Sequence, residues 1–527
     1  MPSNCISFQE SGYFSNLIVD YLNQEPCLKN LYTSFPSPDN YLSQLHIKER
    51  KYPIENRKVL VEVLKKQYES IAVSSATEAN INQLLNEKTF TITTGHQLNV
   101  FTGPLYFIYK IISTIITTQK LKKNYPAYNF VPIYWMATED HDFEEINHFN
   151  LNDKKIKWDT TSNGPVGRLS TNGLEVVFEE FKREIGIGNN ADYLIELFQN
   201  AYLKHSNLSE ATRYLTNELF KAYGLVIIDA DDKKLKKIFT PYIKDEILNQ
   251  KSFLNVNESN SVLKDYFTQV NPRPINLFYI EDELRERIVQ EGDTYKVLNT
   301  TIQFNQEEIL KEIENHPEKF SPNVILRPLY QEIILPNLGY IGGGGEIAYW
   351  LQLKSNFDAH NIPFPILQLR NSALIVSKKQ VNKIKKLDLS WQELFMNKQL
   401  LLDKKTKELS QINFDFSKQI SFLEEQFKSL EKIALQTDSS FIGAVKAQEA
   451  KQIKGLKKLE KRLLKAEKRK YKDYLIRVEN IHNELFPNGS LQERITNFAT
   501  FFDPVFLNQC FKEFDPFANN FTIIIMN

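Results

Sequence analysis

The feature that most constrains this chain is a strand–helix–strand run over residues 89–138. The β-branched segment TFTITT at 89–94 is typical of a buried strand. Gly103 and Pro104 predict the start of a helix, and isoleucines recur behind them at helical spacing. The apolar segment 129–138 predicts a second strand. Two strands joined by one helix form a right-handed βαβ unit, so we expect an α/β fold around a parallel sheet.

Two polar motifs end these two strands. Parallel strands present their carboxyl ends at one edge of a sheet, and α/β proteins bind ligands at that edge. We therefore expect both motifs to line one crevice. The motifs are Gly95, His96 and Gln97 after the first strand, and Glu139, Asp140, His141 and Asp142 after the second.

The first motif has the features of an anion site. A glycine turn at Gly95 lets the backbone approach a ligand, and a helix starting at Gly103 would point free N–H groups and a positive dipole into the crevice. His96 would then meet a phosphate or a developing oxyanion. The alternative is a core histidine that ends a strand, because the GHQ motif is short.

The second motif places five acids and two histidines within residues 139–148. A helix starting near Asp142 would put Glu144 and Glu145 four and three residues before His148, a spacing that could bind a divalent metal. The alternative is an acidic first turn that the helix dipole stabilises. That alternative does not explain the pair at the end of the buried strand, Asp140 and His141, for which we expect an acid–base or substrate-binding role.

Four consecutive glycines precede a predicted helix: Gly342, Gly343, Gly344 and Gly345. Ordering glycine costs conformational entropy, and such a loop at a helix start can cradle a phosphate or a carboxylate. The loop lacks the Gly-Lys-Ser/Thr ending of a P-loop. Glu346 would repel an anion but could receive a substrate ammonium or hydroxyl group. A flexible hinge is the alternative.

Further strands are predicted by the apolar segments 223–231, 325–336 and 364–377. Alternation over residues 274–295 predicts a β-hairpin. Three polar residues follow strand-like runs and are candidates for anion or amide contacts: Arg327, Arg370 and Asn371.

After residue 390 the sequence is typical of long helices. Apolar residues recur at three- and four-residue spacing on both sides of 438–443, which predicts an antiparallel coiled-coil hairpin. The basic run at 451–472 is a solvated face of that hairpin or, alternatively, an RNA-binding arm.

We expect a core with an N-terminal extension at 1–149, an inserted connective subdomain at 150–222, the rest of the core at 223–389, the coiled coil at 390–490 and a C-terminal return to the core at 491–527.

Composition narrows the classes of partner. Lys+Arg and Asp+Glu both total 65, so no overall field attracts nucleic acid or an anionic membrane. The three cysteines form no CxxC pair, which fits a reducing compartment and leaves no thiolate zinc site. The first residues lack the pattern of a signal peptide, and the apolar run 105–116 is too short to span a bilayer. We expect a cytoplasmic protein without nucleic-acid or membrane partners.

Four segments together resemble the bacillithiol-biosynthesis BshC family of cysteine-adding enzymes. They are TTGHQLNVFTGPLYFIYK, PIYWMATEDHDFEEINH, LRPLYQEIILPNLGYIGGGGEIAYW and LRNSALIV. The resemblance runs in order over nearly the whole chain and includes the late coiled coil. It implies a Rossmann-like core similar to class I aminoacyl-tRNA synthetases, inserted connective subdomains, and a C-terminal antiparallel α-helical coiled coil that forms a homodimer.

The same resemblance implies a ligase that joins L-cysteine to the amine of glucosaminyl-malate, the last step of bacillithiol synthesis. A free carboxylate needs activation before an amine attacks it, most simply by ATP or another nucleotide, as an adenylate or an acyl phosphate. In this scheme His96 and Gln97 stabilise the activated carboxyl group, and Asp140 or His141 takes the proton of the amine. Gly103 and the four-glycine loop are the candidates for nucleotide binding. Substrate contacts are expected from Gly95, Asp142, Glu145, Arg327, Glu346, Arg370 and Asn371, with Glu346 or Asp142 holding an ammonium and Arg168, Arg327 or Arg370 available for malate.

The chain also departs from class I synthetases. It has Gly95-His96-Gln97 in place of a full His-x-Gly-His signature, and it has no Lys-Met-Ser-Lys-Ser loop. Nucleotide use therefore stays open, and no metal is assigned. The competing hypotheses are a metal-dependent hydrolase built around residues 139–148 and a non-catalytic coiled-coil scaffold with a synthetase-like core.

Overall fold

The computed structural model describes residues 5–437 and 439–526. The chain divides into two compact units. The first unit consists mainly of residues 13–374 and 491–524, and the second mainly of residues 375–490. Within the described ranges, no helix combines the length and the apolar character needed to cross a membrane.

The strands are β1 (Cys5–Ser7), β2 (Thr89–His96), β3 (Asn129–Met136), β4 (His148–Leu151), β5 (Lys154–Lys157), β6 (Val226–Asp229), β7 (Leu277–Glu281), β8 (Leu284–Glu291), β9 (Thr294–Val297), β10 (Gln303–Phe304), β11 (Phe320–Pro322), β12 (Asn337–Gly342), β13 (Ile366–Leu369), β14 (Ser372–Ser377) and β15 (Asn520–Met526).

The helices up to the end of the central sheet are α1 (Phe8–Ser11), α2 (Asn16–Leu22), α3 (Pro38–Lys51), α4 (Ile54–Gln67), α5 (Ser75–Gln83), α6 (Tyr106–Asn124), α7 (Phe143–Ile146), α8 (Leu174–Ile185), α9 (Asn189–Tyr202), α10 (Leu208–Phe220), α11 (Lys233–Asn249), α12 (Lys251–Val262), α13 (Gln306–Asn315), α14 (Arg327–Ile334), α15 (Gly344–Leu351) and α16 (Lys354–Ala359). The later helices are α17 (Lys378–Lys386), α18 (Trp391–Leu394), α19 (Lys398–Leu409), α20 (Ser417–Ala434), α21 (Ser439–Lys470), α22 (Lys472–Leu485) and α23 (Phe506–Glu513).

The first unit is built on a five-stranded sheet with the order β13-β12-β2-β3-β6, in which every pairing is parallel. The predicted Rossmann-like parallel sheet is confirmed. The chain starts at β2 in the centre, moves through β3 to β6 on one side, and later adds β12 and β13 on the other side. The direction of strand addition therefore reverses between β2 and β12, which is where folds of this class bind ligands.

The central strand is buried on both faces because helices cover both sides of the sheet. Every residue of β2 is buried. Phe90 and Ile92 pack with Leu121 of α6 and with Ile341 and Ile366 of the neighbouring strands. Dense packing of this kind fixes the ends of β2 and β3 relative to each other, with His96 in register with Met136.

A second sheet in the same unit has the order β10-β9-β8-β7-β11 and is antiparallel. Its strands β7 and β8 form a hairpin in which Glu281 pairs with Leu284, as the alternation predicted. Strands β6, β13 and β14 also form where apolar runs predicted strands.

One strand prediction is wrong. Residues 325–336, expected as a strand ending in candidate contacts, contain helix α14, and Arg327 is the first residue of that helix. Pro328 lies in the first helical turn, where proline is tolerated. All later residues of α14 are buried, so its short apolar run looks the same as that of a buried strand.

The second unit contains the predicted coiled-coil hairpin. Helices α20 and α21 pack together through Phe427, Ala434 and Val445. Lys446 of α21 lies 3.9 Å from Glu431 of α20, so the two helices run antiparallel. Asp438, in the predicted connection, lies outside the described residues, and α21 already begins at Ser439, before the predicted end of the connection at Gly443.

A buried ion pair ties α14 to the centre of the sheet. Lys48 Nζ lies 3.1 Å from Glu332 Oε2, and both side chains are almost fully buried. The other oxygen of Glu332 accepts a hydrogen bond of 2.6 Å from Asn337, whose own oxygen accepts from the hydroxyls of Thr91 and Thr93 on β2. These bonds join helices α3 and α14 to strands β2 and β12.

We therefore predict that Lys48→Met destabilises the protein by about 3–5 kcal/mol, because a buried carboxylate loses its partner. Thermal unfolding of the full chain, followed by the melting temperature, measures this loss. Lys58→Met is the matched control, since the Lys58–Glu55 pair is 62% and 72% exposed and its loss should cost less than about 1 kcal/mol. Equal melting temperatures for the two variants would contradict the prediction.

Candidate functional site

The end of β2 carries a buried histidine with one free nitrogen. His96 Nδ1 lies 2.8 Å from the carbonyl oxygen of Gln97, so this nitrogen holds the proton and donates it. His96 Nε2 is buried and has no hydrogen-bond partner among the described residues. The ring stacks on Tyr106 with a centroid distance of 5.2 Å. His96 thus offers one unused acceptor atom at the reversal point of the sheet.

The protonation state of this histidine follows from its surroundings. Burial and, to a lesser extent, the positive charge of Lys110 lower the pKa of His96 to about 3. The imidazole is therefore neutral at neutral pH. In this state Nε2 accepts a hydrogen bond from an N–H or O–H group and does not donate one to an oxyanion.

A partly buried carboxylate joins the first motif to the glycine loop. Glu346 Oε2 lies 2.5 Å from Lys110 Nζ and accepts a 2.9 Å hydrogen bond from the amide of Gly343. Its other oxygen accepts from Tyr340 OH at 2.6 Å, and Lys110 also donates to the carbonyl of Gly95 at 2.7 Å. Burial raises the pKa of Glu346, but Lys110 and the other donors outweigh burial and hold it below its ordinary value. Glu346 is a carboxylate that Lys110 already neutralises.

The glycine loop connects β12 to α15, with Gly343 at the N-cap. A side chain at Gly342 would lie 3.0 Å from the ring of Tyr340, so close packing requires glycine there. A side chain at Gly345 would meet nothing closer than 4.0 Å. The amides of Gly344 and Gly345 belong to the first helical turn, where the helix supplies no acceptor. They are available to an anionic group.

Arg370 lies beside this loop. Its guanidinium donates to Glu493 at 2.7 Å, to the carbonyl of Asn371 at 2.9 Å and to Ser372 at 3.0 Å. Arg370 is 3% exposed, and its Nε has no partner among the described residues. The Cβ position of Gly343 is 3.7 Å from that nitrogen. A buried donor without an acceptor beside free helix amides fits an anionic group.

Two other predicted contacts are held by the protein itself. Asn371 accepts from Ser113 at 3.0 Å and donates to the carbonyl of Asp515 at 3.0 Å. Arg327 donates to Tyr349 at 3.2 Å, and its guanidinium lies within 6.0 Å of the centres of three aromatic rings. These interactions fix both side chains in place beneath the reversal point.

Gln97 joins the two motifs that the sequence placed in one crevice. Its amide nitrogen donates to Asp140 Oδ2 and to Glu145 Oε2, each at 3.0 Å. Burial raises the pKa of Asp140, but hydrogen bonds from His141 and Gln97 and the charge of Arg285 hold it well below its ordinary value. Asp140 is therefore a permanent carboxylate and a weak proton acceptor.

Arg285, on strand β8 of the hairpin, is a site residue that the sequence did not indicate. Its Nη1 lies 2.5 Å from His141 Nδ1 and 4.0 Å from Asp140 Oδ1, and its guanidinium stacks on Phe278 at 3.9 Å. Since the guanidinium donates, His141 Nδ1 accepts. The local sequence does not show whether Arg285 or Arg287 reaches the site, because this depends on which side of the hairpin packs against the sheet.

The helical spacing at 139–148 that was considered for a divalent metal does not form. Helix α7 ends at Ile146, and His148 starts strand β4, so no helical face carries Glu144 and Glu145 together with His148. The chain turns early because Phe149 and Leu151 alternate as a buried strand that pairs with β5. Asp140, His141 and Asp142 do bring potential ligand atoms within 4.8 Å of one another. The guanidinium of Arg285 lies against that cluster and disfavours a second cation.

The helix start predicted at Gly103 is wrong. Helix α6 begins at Tyr106, with Leu105 at the N-cap. The amide of Leu105 donates to the carbonyl of Thr496 at 2.9 Å, so the C-terminal part of this unit covers the helix start. A side chain at Gly103 would lie 2.7 Å from Asn99, which explains the glycine.

Glu139 points away from this crevice into a separate network. Its carboxylate lies 2.5 Å from Lys236, which is also 3.1 Å from Asp231. Asp231 in turn binds Arg168 through two hydrogen bonds of 2.8 and 3.1 Å. Lys236 was not predicted, since it is one of several lysines at the start of α11.

Comparisons with known proteins identify the family. The model of the bacillithiol-biosynthesis BshC N-terminal Rossmann-like domain matches residues 1–371, and that of the BshC C-terminal coiled-coil domain matches residues 373–526. A Flavobacterium psychrophilum protein named "Putative cysteine ligase BshC" is 58% identical over 99% of both chains. A protein of the same name from Cytophaga hutchinsonii is 41% identical over 98% of this chain and 97% of its own.

A solved structure described as a putative arginyl-tRNA synthetase from Campylobacter jejuni is matched over 83% of this chain and 98% of its own, with 9% identity and a TM-score of 0.20. Two family models cover nearly the whole chain, and full-length relatives exceed half identity. This chain belongs to the bacillithiol-biosynthesis BshC family, with a Rossmann-like N-terminal domain and a C-terminal coiled-coil domain.

Proposed function

We propose that this chain is a cytoplasmic ligase that forms the amide bond between the carboxyl group of L-cysteine and the amine of glucosaminyl-malate. The observation that carries the proposal is the full-length relationship to proteins named as cysteine ligases, at 58% identity. Three free cysteines in the described residues fit a reducing compartment.

The residues at the sheet reversal fit an anionic group. Gly344 and Gly345 offer free amides, and Arg370 Nε is a buried donor without an acceptor. A nucleotide bound there would supply the phosphoryl group that makes the cysteine carboxyl reactive. Gly344, Gly345 and Arg370 are the residues that would hold its phosphates or the cysteine carboxylate.

The charges on the other side of the crevice suit an ammonium group. The carboxylates of Asp140 and Glu145 each accept a hydrogen bond from the side-chain amide of Gln97. Opposite charges attract strongly in a partly buried site. We assign these carboxylates to binding the substrate ammonium before it loses its proton.

The pKa directions favour a different proton acceptor from the one predicted by sequence. The low pKa of Asp140 makes it a poor base, while His96 Nε2 has a free lone pair. Although burial lowers the pKa of His96 to about 3, an anion bound beside Arg370 would raise it, because negative charge stabilises imidazolium. We assign His96 as the group that takes the proton from the attacking amine once the anionic substrate is bound.

The activity itself is tested by incubating the full chain with L-cysteine, glucosaminyl-malate and ATP. We expect bacillithiol by mass spectrometry, together with ADP or AMP, and no product when any one component is left out. A strain that lacks the gene should lose bacillithiol and accumulate glucosaminyl-malate. Normal bacillithiol in that strain would exclude the ligase and favour a scaffold.

The assignment of His96 predicts that His96→Ala lowers kcat at least about 100-fold, the usual scale of general-base catalysis, with little change in the KM for cysteine. His316→Ala is the matched control, because His316 is 44% exposed and lies outside the crevice. Unchanged kcat in His96→Ala would remove His96 from the chemistry.

Stability against pH tests the protonation state of His96 without turnover. A histidine whose pKa is lowered on folding stabilises the protein above its unfolded pKa of about 6.5, and this stability is lost as pH falls toward 3. Between pH 7.5 and pH 5 the wild type should lose about 2 kcal/mol that His96→Gln does not lose. Parallel pH profiles for the two proteins would show that His96 is not held neutral.

We also propose that the coiled coil forms a homodimer. On α20 it exposes Phe422, Leu430 and Ile433, which are 66%, 45% and 54% accessible. Such a row of exposed apolar residues on a helix is typical of an interface. Light scattering should give twice the chain mass, and Phe422→Glu should lower that mass to one chain. Phe267→Glu is the control, since Phe267 is 79% exposed outside the coiled coil, and dissociation by both variants or by neither would contradict this interface.

A further inference from the structure

A polar cleft of about 920 Å³ opens beside the catalytic crevice, on the far side of β3. Its floor contains Thr138, Asp229 and Asp231, which lie at or just after the carboxyl ends of β3 and β6. One wall is the loop at 161–170, and another is the start of α10 with Ser209 and Arg213. The function proposed above uses none of these side chains.

The lining indicates the chemical class of the ligand. It is rich in hydroxyl, amide and carboxylate groups, and among its side chains only Pro165 and Leu169 are mainly apolar. Seven carboxyl groups face three cations, Lys66, Arg168 and Arg213, so the cleft would repel a polyphosphate. A ligand with many hydroxyl groups suits this lining, because each hydroxyl can both donate and accept.

Arg213 provides independent evidence for a ligand. It is 5% exposed, it lines the cleft, and its Nε has no hydrogen-bond partner among the described residues. Its nearest acid is Asp229, at 3.9 Å. The oxygens of Asp229 already accept hydrogen bonds from Thr138 at 2.5 Å and from Ser209 at 2.6 Å. A buried donor left in this state costs about 1–3 kcal/mol, which an oxygen atom of a ligand would offset.

The cleft is fixed to the catalytic crevice. The amide of Val166 in the wall donates to the carbonyl of Asp140 at 2.7 Å, and that of Gly167 donates to Thr138 at 2.8 Å. Strand β6 at the cleft is the second strand from β2, so the two places lie roughly 10 Å apart by strand spacing. In an amino sugar the amine is bonded directly to the ring, so the ring together with one hydrogen bond at each end has to span this distance.

We propose that this cleft binds the sugar ring of the amine substrate, with ring hydroxyls bonded to its hydroxyl, amide and carboxylate groups and with Arg213 donating to a substrate oxygen. The amine then reaches across β3 to the carboxylates of Asp140 and Glu145. This inference rests on the proposed function, which supplies glucosaminyl-malate as the substrate.

Calorimetric titration of the full chain tests the inference without turnover. Arg213→Gln should weaken the binding of glucosaminyl-malate and of D-glucosamine at least tenfold and leave the binding of ATP and L-cysteine unchanged. Unchanged sugar binding would overturn the proposal. Loss of ATP binding instead would also overturn it, because the cleft would then be a nucleotide site.

A second variant tests the cleft independently, in case Arg213→Gln does not fold. Asn163 lies on the exposed part of the wall, so Asn163→Trp should fill the cleft without disturbing the core and should weaken sugar binding to the same extent. Asn189→Trp, at an exposed position outside the cleft, is the matched control and should bind the sugar normally.

The two proposals fail in different ways. If the wild type forms bacillithiol but Asn163→Trp keeps the same KM for glucosaminyl-malate, the cleft assignment alone is overturned. If Asn163→Trp abolishes sugar binding but the wild type forms no thiol product with any nucleotide, the cleft assignment stands and the ligase proposal falls.

Discussion

The parallel pairing of β2 with β3 on one side and β12 on the other is the constraint on which the site depends. It brings three segments that are far apart in sequence to one edge of the sheet: the end of β2 at His96, the segment after β3 at Asp140, and the glycine loop after β12. The sheet reverses its direction of strand addition between β2 and β12, so the amides of α15 open onto the end of β2. Moving any of these strands by one residue would turn its terminal side chain to the other face.

Charge is distributed around this edge in buried and partly buried pairs. Lys110 neutralises Glu346 under the glycine loop, Glu493 binds Arg370, and Arg285 lies against His141 and Asp140. Buried charges persist only when paired, since an isolated one would change its protonation state. Donors without an acceptor lie on one side, at Arg370 Nε and the loop amides, and the two carboxylates that accept from Gln97 lie on the other. This asymmetry suits a substrate pair with an acid group and an amine.

The spacing of apolar residues predicted the main helices and strands, because a local sequence pattern determines each of these elements. The β2–α6–β3 unit, the hairpin of β7 and β8, and the coiled coil all formed where their periods indicated. Helix α14 was taken for a strand because a short helix buried on every side has no polar period. Arg285 and Lys236 could not be predicted, since each becomes part of a site only through a packing partner distant in sequence. The spacing considered for a metal at 139–148 does not form because α7 stops after one turn.

The central claim is that the chain activates the carboxyl group of cysteine and passes it to an amine. The most direct measurement uses L-cysteine with ¹⁸O in both carboxyl oxygens, incubated with the full chain, ATP and glucosaminyl-malate. Ligation predicts one ¹⁸O atom in the AMP or the phosphate released for each bacillithiol formed, because the carboxyl oxygen leaves with the phosphoryl group. Bacillithiol formed without transfer of the label, or no bacillithiol from the complete mixture, would contradict the account.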